Sequence, residues 1–136
     1  MLRSFSVENY RSFRRATIDL RPITLLLGRN SSGKSSLTRL VPLMRQSFNR
    51  LTATPVLWAS DVIDFGDISN VVHHDSPDGT VTLSFDANPG NLSQFLMLRT
   101  GNWGSGPVPS RIHKLRFTAT LESQDGKTRY KSSQIV

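Results

Sequence analysis

A chain of 136 residues, 37% hydrophobic and 20% charged, has the length of one domain and enough apolar side chains to bury a core without disulfides or metal. It holds no cysteine, which excludes a disulfide scaffold, a thiolate metal site and a cysteine nucleophile, and fits a reducing cytoplasm. The net charge of +7 is uneven: residues 1–50 carry +8, residues 51–90 carry −6 and residues 91–136 carry +5. The basic N-terminal third suits a polyanion, either nucleotide phosphates or a nucleic-acid backbone, against the alternative of a solvated basic face balanced elsewhere. No apolar run has the length of a signal peptide or a bilayer span, so the chain reads as cytoplasmic with no membrane partner.

The first stretch, "RSFSVENY", alternates through Leu2, Phe5 and Val7 and predicts a half-buried strand. A turn at "NYRSF" leads to a second strand over Ala16 to Leu20, which Arg21-Pro22 ends. "ITLLLG" is a continuous apolar run of strand length, the pattern of a central strand buried on both faces. Beyond a glycine-rich loop, Leu37, Leu40, Val41, Met44 and Phe48 recur at helical spacing, predicting a helix from about Lys34 to Arg50 that bends at Pro42 unless it restarts there. Residues 51–70 hold one short helix or loop around "ASDVIDFGDISNVV". "TVTLSFDA" then alternates through Val81, Leu83, Phe85 and Ala87, after a Pro77-Asp78-Gly79 turn. A Gly, Pro and Ser-rich excursion covers 100–110. "HKLRFTATLES" alternates through Leu115, Phe117, Ala119 and Leu121, and Asp125-Gly126 turns it into a last strand, "TRYKSSQIV". The order predicts an α/β fold with an appended antiparallel β layer.

The loop itself, Gly28, Arg29, Asn30, Ser31, Ser32, Gly33, Lys34, Ser35, matches G-x-x-x-x-G-K-[ST] at every fixed position. Two glycines let successive N–H groups turn inward on a phosphate. Lys34 would place a cation against the β- and γ-phosphates and is the candidate catalytic residue; the Ser35 hydroxyl would ligate Mg²⁺, and Ser36, with residues 28–35, completes the expected cofactor-binding run at the helix N-terminus. Average residue frequencies put this spelling by chance in about half a percent of chains of this length. Strand before and helix after are the context the motif requires. The expected cofactors are therefore ATP and Mg²⁺.

From Phe5 to Ser47, "FSVENYRSFRRATIDLRPITLLLGRNSSGKSSLTRLVPLMRQS" resembles the N-terminus of ABC-type ATPases related to RecF, to the structural-maintenance-of-chromosomes (SMC) proteins and to the OLD nucleases. That group has an N-[FY]-[RK]-[SC]-[FY] turn, here Asn9 to Phe13, and a G-x-N-x-[SA]-G-K-[ST] loop, here with Asn30. "DFGDISNVVHHD" is similar to a segment of the bacterial AAA-type subfamily of phage-defence operons. The resemblance implies the N-terminal lobe of a P-loop NTPase (ABC-type ATPase head), incomplete in this sequence, with 1–50 carrying the first strands, loop and helix, and 51–136 a mainly antiparallel β subdomain. It implies that Arg11 lies near the nucleotide, that Asn30 shapes the loop, and that heads pair with a second copy or a partner chain. Tyr10 and Phe13 read as core plugs. The group's Walker B acidic pair, signature motif and switch histidine have no match here. Asp61, Asp64 and Asp67 precede the strands that should carry such a pair, and Gln94, Gln124 and Gln134 lack a distinguishing context. The expectation is thus a binding half of an ATPase, a fragment or one chain of several, in DNA repair or antiphage defence. What it would control, a nuclease, a toxin or a DNA clamp, lies outside these residues.

Other constellations carry less. His73-His74-Asp75 reads as a solvated loop rather than a metal site, and His113 is isolated. Lys114, Arg116, Arg129 and Lys131 on adjacent hairpin strands are candidates for DNA contact or an exposed sheet face. The alternative function is a basic nucleic-acid-binding or assembly module whose nucleotide site is structural or vestigial.

Overall fold

The computed structural model describes residues 2–49, 55–88 and 114–136. The expected Gly, Pro and Ser-rich excursion at 100–110 and His113 lie outside the described residues. Five strands, β1 (Leu2–Tyr10), β2 (Phe13–Asp19), β3 (Thr80–Ala87), β4 (Leu115–Gln124) and β5 (Lys127–Ile135), form one sheet in the order β2-β1-β3-β4-β5. Every neighbouring pair is antiparallel. The alternation that marks each strand in the sequence becomes the two faces of this sheet.

On one face the register aligns Phe5 with Phe85 and Phe117, Val7 with Leu83 and Ala119, and Val81 with Leu121. These residues join Leu37, Leu40, Leu43 and Met44 and a third group, Val56, Trp58, Phe65, Ile68 and Val71, in one apolar core. The other face carries hydroxyl pairs across strands: Ser6 with Thr17 at 3.0 Å, Thr82 with Thr120 at 3.0 Å and Ser84 with Thr118 at 3.1 Å. At one end of the sheet, buried Asp86 accepts from Arg116 through Nε at 2.6 Å and Nη2 at 2.9 Å, from Ser4 Oγ at 2.9 Å, and pairs with Lys114 Nζ at 2.9 Å. These donors, Arg116 foremost, outweigh desolvation and hold the carboxyl well below the usual aspartate range.

The expected Asp125-Gly126 turn closes β4 onto β5 with both residues at positive φ, 53° and 70°, as a two-residue hairpin of the type I′ class requires. Of the two outcomes expected near Pro42, a bend or a restart, the helix takes the restart. It forms as α1 (Lys34–Thr38) and α2 (Leu40–Asn49), with Arg39 between them. Pro42 cannot donate to the carbonyl of Thr38, so the interruption falls one turn upstream of the proline.

Among the described residues 55–70, a short 3-10 turn, Ile68–Asn70, is capped by the Asp67 carboxylate on Ser69 N. Gln46, buried on α2, holds the chain beside it. Its Nε2 donates to Leu57 O at 2.6 Å and Ile63 O at 3.0 Å, and its Oε1 accepts from Ser60 Oγ at 2.6 Å and Ile63 N at 2.9 Å. Trp58 Nε1 donates to Thr128 Oγ1 at 2.8 Å, tying the same segment to β5.

One expectation is overturned. "ITLLLG" is not a buried central strand: residues 22–27 form no strand, and Ile23, Leu25 and Leu27 are 81%, 77% and 89% exposed. Leu20 N bonds Arg3 O and Arg21 N bonds Thr24 Oγ1, so the chain leaves β2 at a turn that carries the run off the sheet. A strand needs a neighbour to accept its hydrogen bonds, and among the described residues no strand lies beside this one. An apolar run reports a capacity for burial, which a strand realises only where a neighbour is present.

Candidate functional site

The phosphate-loop sequence joins the exposed run to α1. Gly33 takes φ +87°, a left-handed conformation that favours glycine, and Ser31 takes φ +61°. Space constrains Gly33 as much as its angle does. A Cβ there would fall on Ser12 Oγ and within 2.5 Å of the Phe13 ring edge. A Cβ on Gly28 would stand 3.0 Å from Ser32 Oγ. The two glycines are therefore the positions where the loop is drawn tight.

Lys34 folds over this loop. Its ammonium donates to Gly28 O at 2.8 Å and Arg29 O at 2.5 Å, with Ser32 Oγ at 3.4 Å. Asn30 and Ser31 are exposed at the rim, and their N–H groups meet no acceptor among the described residues. Ser32 N bonds Arg29 O at 3.3 Å, Ser36 N bonds Gly33 O at 2.9 Å, and Ser35, with its hydroxyl exposed, begins the helix beside Lys34. Unengaged N–H groups at Asn30 and Ser31, one cation and one hydroxyl within a few residues are the chemistry that a polyphosphate with a hard divalent cation calls for. The residues present fit both groups.

Beneath the loop runs the Asn9–Phe13 turn. Tyr10, fully buried, donates its hydroxyl to Ser36 O at 2.9 Å. Burial pushes its phenol up to about 12 despite nearby Arg11 and Arg39, so it stays a donor at any physiological pH. Arg11 follows Tyr10 in the same turn. Its guanidinium lies 5.1 Å over the Phe65 ring and donates to Asn70 O at 3.3 Å, against the 65–70 segment. The sequence reading of Tyr10 and Phe13 as core plugs misses their contact with the loop; the one signal for it is the N-x-x-S-F spacing upstream of the glycines.

The remaining candidates separate from this site. His73, His74 and Asp75 place ligand-type atoms within 4.8 Å of one another, yet His73 is buried rather than solvated. Its Nδ1 accepts from Asp75 N at 3.0 Å, and the Asp75 oxygens serve Arg14 at 2.7 Å and His74 at 3.1 Å, so the cluster is internally satisfied. Lys114 and Arg116 are paired with Asp86, and Lys131 lies 3.7 Å from Asp78, which leaves Arg129 opposite Glu122 in the register. Among the described residues, no helix is long and apolar enough to cross a membrane.

Fold and loop together define a P-loop ATPase lobe, two short helices and an antiparallel sheet around a nucleotide-binding loop. The chain belongs to the AAA ATPase domain family, which it matches over residues 1–88. Among solved structures, an SMC ATPase chain from work on ATP-driven dimerization and DNA-stimulated activation superposes with a TM-score of 0.57. It is 13% identical and is matched over 98% of this chain and 68% of its own, a likeness of fold. No curated protein matches the sequence.

Proposed function

We propose that this chain is the ATP- and Mg²⁺-binding lobe of an ATPase of the RecF, SMC and OLD-like group, serving DNA repair or antiphage defence. The observation that carries the reading is the loop: two constrained glycines, the Lys34 ammonium poised over them and the Ser35 hydroxyl beside it. Gly28 to Gly33 would cradle the β-phosphate with backbone N–H groups, Lys34 would meet the β/γ oxygens, and Ser35 would hold the metal. Bound Mg²⁺ supplies charge neutralisation across the β- and γ-phosphate oxygens. Hydrolysis also needs an oriented water and a second set of charges, which the sequence does not provide, so turnover would draw on Walker B and signature residues outside it.

The exposed run supports the same division of labour. Leu25 and Leu26, with Phe5, Leu20, Leu37 and Val41, line an open apolar hollow of about 400 Å³ that reaches Lys34 and Ser35. A surface of that kind beside a phosphate loop suits a complementary lobe, in the same polypeptide or a partner chain, that would bring the missing groups to the nucleotide. The work on the SMC ATPase describes ATP-driven dimerization, which agrees with a second head as partner here. The nucleic-acid reading is less supported, because three of its four candidate cations are paired with Asp86 or Asp78.

Titration with Mg-ATP tests the proposal. The chain should bind, and Lys34→Ala should weaken binding at least a hundredfold while its thermal midpoint stays close to that of the parent. Binding unchanged by Lys34→Ala would remove the phosphate-loop reading. DNA binding that survives Lys34→Ala and falls steeply with salt would favour the nucleic-acid module instead.

A further inference from the structure

The turn that ends β1 adopts a conformation that needs outside support. Asn9 and Arg11 both lie at positive φ, 53° and 49°, on either side of buried Tyr10. Non-glycine residues hold such angles only where their surroundings over-determine them. Here the surroundings are residues 65–73: His73 N bonds Asn9 O at 2.8 Å, Arg11 N bonds Val71 O at 2.6 Å, Tyr10 bridges Val72, and Arg11 lies over Phe65. The strained turn is clamped from below by one segment.

Above, it touches the phosphate loop at two points. The Tyr10 hydroxyl holds the carbonyl of Ser36, two residues past Lys34, and the Phe13 ring edge with Ser12 Oγ fills the space a side chain on Gly33 would need. We propose that Tyr10 is a positioning residue for the phosphate loop, its hydroxyl fixing the first turn of α1 so that Lys34 and Ser35 stand at the right height over Gly28 to Gly33, with Phe13 as the wedge below. The proposal rests on the phosphate-binding reading and adds a mechanical support to it. The simpler alternative is that Ser36 O only satisfies a phenol that burial would otherwise leave unpaired.

Tyr10→Phe separates the two, because it keeps the ring and removes only the hydroxyl. Affinity is measured for Mg-ATP and for inorganic tripolyphosphate, well below the thermal midpoint, beside the melting curve of the ligand-free protein. A support for the loop predicts the same loss for both ligands, roughly three- to tenfold, the range that one hydrogen bond spans. Phe13→Leu, which withdraws the ring edge from Gly33, should produce a second parallel loss and keeps the test open if Tyr10→Phe folds poorly.

A lower melting point with both affinities unchanged would overturn the proposal and leave the hydrogen bond as packing. Loss for Mg-ATP alone, with tripolyphosphate unaffected, would also overturn it, since the effect would then sit at the base or ribose. A parent chain that binds neither ligand would instead defeat the phosphate-binding reading, and this inference with it.

Discussion

Leu83 and Leu25 are the same side chain in two opposite situations. Leu83 lies between Val7 and Ala119 in the sheet register and is 1% exposed; Leu25, in the run leading to the phosphate loop, is 77% exposed. Around Leu83 the chain is closed. The buried Gln46 amide has its donors and acceptor engaged, Asp86 has three partner residues, and among the described residues no buried side-chain polar atom lacks one. Around Leu25 the chain is open, with apolar side chains in water and, among the described residues, no strand alongside. Stability is therefore concentrated in the sheet and α2, and the region that carries the nucleotide loop contributes little to it.

That contrast gives a graded series of substitutions, each read as a shift in chemical or thermal unfolding. Leu83→Ala, which empties a site in the middle of the core, should cost about 3–5 kcal/mol. If it cost under ~1 kcal/mol, the sheet would not be the stability centre. Gln46→Leu should cost about 2–4 kcal/mol, because it strands the Leu57 and Ile63 carbonyls and the Ile63 N–H while leaving the volume filled. Asp86→Asn should cost about 1–3 kcal/mol by weakening the Arg116 and Lys114 pairs. Leu27→Ser, on the open side, should change stability by no more than ~0.5 kcal/mol and should reduce self-association, checked by light scattering.

The Asp86 variant also carries a pH signature. The folded carboxyl lies below the ordinary aspartate value of about 3.9, so its stabilisation is complete above that value and is lost as pH falls through the folded one. The gap between parent and Asp86→Asn should be full at pH 6 and should shrink steadily below about pH 4. A gap that stays constant down to pH 2 would mean that the carboxylate is not stabilised by its partners.

How much of this is visible before the structure depends on distance along the chain. The strands over 2–10, 80–87 and 115–124 follow from alternation of neighbouring residues, and the Asp125-Gly126 hairpin follows from two residues that tolerate positive φ. The phosphate loop is spelled out in eight consecutive positions. The pairing of β1 with β3 is not visible, since alternation says which face is apolar and not which strand lies alongside. The exposure of Ile23, Leu25 and Leu27 is hidden for a related reason: the same run would be a central strand wherever a neighbour existed. Gln46 and Tyr10 do their work through contacts that no local pattern encodes.

The order β2-β1-β3-β4-β5 has a kinetic consequence. Two of its hairpins, β1 with β2 and β4 with β5, close over turns of two residues and can form within microseconds. Joining them requires β1 to meet β3 with Leu2 opposite Ala87 and Glu8 opposite Thr82, and that closure must gather the phosphate loop and both helices in between. Closing β1 onto β3 is then slower than closing either two-residue hairpin, and the segment that carries the nucleotide loop is gathered only with that closure.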